Sequence, residues 1–175
     1  MKTLTTAWTI LIAGALATVA FDLFGQTISP LLSSLPTLGA KLAPVPLATS
    51  SLAAITGVPG KELSALGLPH GLHILTGLIA YPLGWLLVAR RIWTSTLPQI
   101  PWIIPAVAYG IVLWVFALYI MAHLVAGMPA FLGFSGITWV ALWGHIVFAV
   151  VAAGVIQARL PLSVPTAAGR SALAA

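Results

Sequence analysis

A chain of 175 residues with 61% hydrophobic and 5% charged side chains cannot cover itself with a water-facing surface, since soluble domains carry about 25% charged residues. The net charge of +5 does not point to nucleic acid, because the basic residues are scattered and each flanks an apolar segment, as topology markers do. Cysteine is absent, which excludes disulfides, thiolate ligands and a cysteine nucleophile. The length suits one integral membrane domain over residues 1–175 with no separate soluble part.

Met1-Lys2-Thr3 precedes an uncharged run from Leu4 to Phe21. A positive start, an apolar core and small residues at Thr18-Val19-Ala20 have the form of a signal peptide. Apolar character nevertheless continues through Phe21, Leu23, Phe24 and Ile28. An uncleaved first helix over 5–29, containing Asp22, fits the ~20 residues that a bilayer requires.

Residues 30–69 hold Pro30, Pro36, Pro44, Pro46, Pro59 and Pro69, with Lys41, Lys61 and Glu62. Proline removes a backbone donor and restricts the residue before it, so no spanning helix is expected here. The stretch reads as an extramembrane loop close to the bilayer, with Leu47–Thr56 as a short interfacial helix.

A second helix is expected over 72–89. It has His70 and His73 at one end, Pro82 as a kink, and Arg90-Arg91 as a cationic stop. Gly71, Gly77 and Gly84 allow close approach of neighbouring helices. From Ile92 to Ala158 there is no Lys, Arg, Asp or Glu. A connection over 92–105 carries Pro98, Pro101 and Pro105 with the interfacial rings Trp93 and Trp102. A third helix over 106–126 contains His123. The stretch Gly127–Gly136 has the composition of a tight turn. A fourth helix over 137–158 contains His145 and ends at Arg159. Residues 160–175, with Arg170, form a surface tail.

With four spans, Lys2, Arg90, Arg91, Arg159 and Arg170 fall on one side, and Lys41, Lys61 and Glu62 on the other. The positive-inside rule then predicts an all-α, polytopic, antiparallel four-helix bundle, N-in/C-in, in a bacterial inner membrane. Loop 30–69 is extracytoplasmic and the tail 160–175 cytoplasmic.

Each helix contributes one ionisable group. At about 1.5 Å per residue, Asp22, His73, His123 and His145 all fall in the outer half of the bilayer. Such groups are costly in lipid and usually face the bundle interior, often paired. The expectation is a cluster of these four with His70 at its mouth. Imidazoles with one carboxylate suit zinc, iron or copper. Two histidines from different helices, His73 or His123 with His145, would instead hold a single haem b. A purely structural hydrogen-bonded cluster is the third reading. Trp114, Trp139, Trp143, Tyr109 and Tyr119 read as bundle packing and interface residues. There is no nucleotide-binding glycine motif, no Ser/His/Asp arrangement and no carboxylate pair, which points away from an enzyme.

The segments HGLHILTGLIAYPLGW, ALYIMAHLVAGMP and WGHIVFAVVAA resemble the last three helices of YagU-type bacterial inner-membrane proteins. The matching positions are His73, His123 with Pro129, and Gly144-His145, over roughly the last two thirds of the chain. The resemblance implies the architecture and the shared histidines rather than a reaction. The leading expectation is a four-helix inner-membrane protein whose Asp/His cluster packs the bundle and offers a metal site. Its rivals are a single-haem or accessory subunit of a membrane redox complex, and a small proton-linked transporter acting as an oligomer. The lipid bilayer is the expected partner, with a homo-oligomer or a larger membrane complex as further assembly.

Overall fold

The computed structural model describes residues 2–35 and 38–161. The expected tail beyond Pro161, including Arg170, lies outside the described residues. Six helical stretches follow in order: α1 (Thr3–Leu31), α2 (Pro44–Thr56), α3 (Gly60–Ala65), α4 (Leu68–Thr96), α5 (Ile103–Val125) and α6 (Gly136–Arg159). Of these, α1, α4, α5 and α6 are long and apolar enough to cross a membrane. The protein is therefore all-helical over its described residues, with four candidate membrane spans.

The boundaries follow local chemistry. Gly67 takes the left-handed conformation at φ 70° and Pro69 sits in the first turn of α4, a favoured start because proline there forfeits no helical bond. The helix runs past Arg90-Arg91 to Thr96, farther than the cationic stop implied. Trp93 is buried, and its indole Nε1 donates to the Ile100 carbonyl at 2.9 Å. The first residue to leave helical geometry is Leu97, directly before Pro98. Within α4, Pro82 lies between two wider π-helical turns, Thr76–Ala80 and Trp85–Ala89. Such turns absorb a missing backbone donor without ending the helix.

At the end of α1, residues Phe24–Ile28 are also π-helical. Ser29 N–H donates to the Phe24 carbonyl, and Pro30 has no N–H to offer. The Gly25 carbonyl is thereby left over, and Leu42 N–H takes it at 2.9 Å. Leu42 packs on Gly25 and Gly144, and the Ser29 hydroxyl donates to the Ala40 carbonyl at 3.1 Å. The returning chain is thus stitched to α1 before α2 begins. A proline-start helix, α2 closes on Gly57, whose left-handed φ of 72° lets its N–H reach the Ala53 carbonyl.

Small residues bring the spans together. Ala13, Ala17, Ala106, Ala122, Ala149, Ala152 and Ala153 are buried, as expected where association rests on close packing rather than on expulsion of water. A Cβ at Gly110 would lie 2.7 Å from the Ile146 Cα, so α5 and α6 touch backbone to backbone there. Outward faces carry large apolar side chains such as Trp8, Val19, Val88 and Val112, the face that lipid requires.

Arg90 is buried despite its charge. Its guanidinium Nη2 donates to the carbonyl of Leu160, at the C-terminal end of α6. A cation on free terminal carbonyls is a favourable helix cap, so the expected topology marker also ties α4 to α6.

Candidate functional site

At the end of the bundle near α2, four spans and α2 surround a cavity of about 270 Å³. Thr18 and Phe21 come from α1, and His73, Thr76, Gly77 and Tyr81 from α4. Ala117 and Met121 come from α5, and Ala141, His145 and Phe148 from α6. Across the remaining side lies α2, which contributes Leu47, Ala48 and Ser51. The π-helical turns of α4 and α5, Thr76–Ala80 and Phe116–Val125, both supply lining residues. Wide turns of this kind recur at functional sites because they push side chains out of the regular register.

The expected turn Gly127–Gly136 closes the cavity from another side through Leu132. Its backbone is strained: Phe131, Leu132 and Phe134 have φ of 50°, 53° and 52°, costing roughly 1–2 kcal/mol each for residues with a Cβ. Packing holds it in place. Phe131 packs on Trp114 with tilted rings 4.6 Å apart between centroids, and the Thr138 hydroxyl donates to the Phe131 carbonyl at 2.5 Å.

A second, more polar recess of about 440 Å³ adjoins the cavity. It is lined by Asp22, Gln26, Lys41, His70 and His73, and it shares His73, Leu42, Ala43 and Pro44 with the cavity. His73 therefore stands at the junction. Its Nε2 lies 3.5 Å from both carboxylate oxygens of Asp22. One turn along α1, Gln26 Nε2 donates to Asp22 Oδ1 at 2.9 Å. The carboxylate is thus oriented by an amide from its own helix and an imidazole from α4.

His145 is buried on the cavity wall. Its Nδ1 lies 2.7 Å from the Ala141 carbonyl. A carbonyl only accepts, so Nδ1 donates, and in the neutral ring Nε2 is left as an acceptor. The Phe21 ring meets the His145 ring edge-on at 5.2 Å and lies 6.3 Å from the His73 ring.

The expected set of Asp22, His73, His123 and His145 is not gathered at one point. Among the described residues, no group of three or more His, Asp and Glu side chains stands where it could hold a metal ion. Asp22 and His73 meet as a pair, and His70 lines only the recess, exposed. His123 faces elsewhere. It follows the cavity residue Met121 by two positions in the π-helical stretch and lines neither the cavity nor the recess. Its Nδ1 donates to the Met128 carbonyl at 2.8 Å, and its ring packs on Tyr119. His73 and His145 both line the cavity, with His73 Nε2 turned to Asp22 and His145 Nδ1 to the Ala141 carbonyl.

Two cavity residues, Thr18 and Ser51, were not among the expected site residues. Thr18 Oγ1 and Ser51 Oγ are buried without a hydrogen-bond partner. Thr18 could have been found as the residue one turn before Asp22, on the same face of α1. For Ser51 there was no comparable signal, since only the fold lays α2 across the bundle.

No protein-family model matches the chain, and no curated protein or solved structure matches it either.

Proposed function

We propose that this protein is a membrane-embedded binding protein that holds a small lipophilic molecule at one end of an antiparallel, N-in/C-in bundle in a bacterial inner membrane. The carrying observation is the cavity itself: mostly apolar walls from every span, with the unpaired hydroxyls of Thr18 and Ser51 among them. A few convergent polar groups in an apolar cavity are the usual composition of a small-molecule site, and about 270 Å³ lies just below the ~300–1,000 Å³ of drug-sized pockets. In this reading α2 and the turn at Leu132 lie on the extracytoplasmic side. The basic residues Arg90, Arg91 and Arg159 then lie on the cytoplasmic side, as the positive-inside rule places them.

Replacing Ala48 by Phe on α2 tests the reading, because Ala48 lines the cavity and Asp22 does not, so the ring takes up the space without altering any residue of the spans. Small lipophiles should raise the melting temperature of wild-type protein in nanodiscs saturably, and leave Ala48→Phe unmoved. Equal responses of the two proteins would refute it.

The Asp22–His73 pair at the junction of recess and cavity supports a second reading, a proton-linked carrier acting as an oligomer. Asp22→Asn should then abolish pH-gradient-driven uptake in proteoliposomes. Uptake that is equal in both proteins counts against it.

A further inference from the structure

Resting on the binding reading above, we propose that the occupant is a planar ring bearing oxygens on opposite edges, of the quinone or quinol type, rather than an acyl chain. The cavity walls carry four carbocyclic aromatic side chains, Phe21, Tyr81, Phe116 and Phe148, besides the imidazoles of His73 and His145. Two of the contacts among them are edge-to-face: Phe21 with His145 at 5.2 Å and 74°, and Tyr81 with Phe148 at 5.6 Å and 84°. Rings arranged in this way complement a flat unsaturated ligand through their quadrupoles. A saturated chain has no such preference.

The polar atoms supply the second observation. Ser51 Oγ on α2 and Thr18 Oγ1 on α1 are both buried and unpaired, and His145 on α6 keeps an acceptor nitrogen in its neutral ring. They come from three different elements of the cavity wall. An acyl chain threaded among them would leave all three unpaired, which is costly away from water. A head group that satisfies only one end would leave the others. A ring with two oxygens can receive hydroxyl donors at one or both edges as a dione, and can donate to His145 as a diol. The small volume excludes a long folded chain and leaves room for a compact ring.

Three probes separate the alternatives in protein purified into nanodiscs: 2-methyl-1,4-naphthoquinone, 2-methylnaphthalene (the same rings without oxygens) and dodecanoic acid. The quinone should bind saturably, about ten-fold more tightly than the hydrocarbon, the equivalent of two neutral hydrogen bonds. It should also outcompete the fatty acid. Thr18→Val and Ser51→Ala should each weaken quinone binding roughly three-fold while leaving the hydrocarbon unchanged. Both variants only delete an unpaired hydroxyl, so if one fails to fold the other still decides. Equal affinity for quinone and hydrocarbon, or tighter binding of the fatty acid, overturns the ring-oxygen inference. If the quinone shows no advantage and Ala48→Phe removes binding of the hydrocarbon or the fatty acid, the binding reading stands without it. If none of the three probes binds, both fall.

Discussion

The two ends of the bundle are built differently from the same kinds of residue. At the arginine end, Ala13, Trp85, Ala106, Ala153 and Ile156 have no exposed surface. Trp85 stacks near Trp93, and Tyr109 donates its hydroxyl to the Tyr81 carbonyl at 2.7 Å. Arg90 then fastens α4 to the last turn of α6. At the other end the spans stand off from one another around a cavity, roofed by a short helix and a strained turn. Unpaired polar atoms occur at both. Among the described residues, those at the arginine end are the donors Trp85 Nε1 and Arg90 Nε and the acceptor Gln157 Oε1. They lie on α4 and α6, which touch. At the cavity end they are the hydroxyls of Thr18 and Ser51, two residues of the cavity wall. One end holds the bundle together, and the other is left loosely filled, the distribution expected where stability is given up for a binding site.

The contrast can be broken most forcefully at Trp85. Replacement by Ala should destabilise the bundle by about 3 kcal/mol, the low end of the usual Trp→Ala range, because lipid reduces the transfer part of the loss while the void remains. Thermal unfolding in detergent gives the value. Gly110→Ala should cost about 1–3 kcal/mol by forcing α5 off α6, visible as a lowered melting temperature and earlier aggregation. Arg90→Met keeps the apolar stem but removes the cap on Leu160, and should cost about 1–2 kcal/mol. Hydrogen exchange would place the loss in the last turn of α6.

The cavity end should respond with the opposite sign. Thr18→Val and Ser51→Ala remove unpaired buried hydroxyls, so each should leave stability unchanged or raise it by up to ~1 kcal/mol in ligand-free protein. A loss above that size would mean that these hydroxyls are structural bonds like those of the arginine end, and the contrast would disappear.

The spans were legible because membrane helices announce themselves by length and hydropathy. Each expected segment overlaps an observed helix that is long and apolar enough to cross a membrane. Depth along the helices was also legible enough to bring Asp22 to His73. What depth does not give is azimuth. His123 lies at a depth near the cavity but points away from it, held by the Met128 carbonyl. His145 points in but meets Phe21 rather than a carboxylate. In a sequence this uniformly apolar, the polar stripe that would mark a helix's inner face is missing, so rotation about the axis cannot be read. Wide π turns, including the one that carries His123, shift it further. The roof was hidden for another reason. Its position depends on one leftover carbonyl at Gly25 and a leucine wedged between two glycines, neither of which has a periodic signature.

The central claim is that the cavity end holds a small lipophile. Native mass spectrometry of protein released directly from membranes tests it most directly, with Ala48→Phe as the filled control. Wild-type protein should carry one small adduct per chain that collisional activation releases, and the folded Ala48→Phe protein should carry none. Wild-type protein free of any such adduct, or the same adduct on both proteins, would contradict the account.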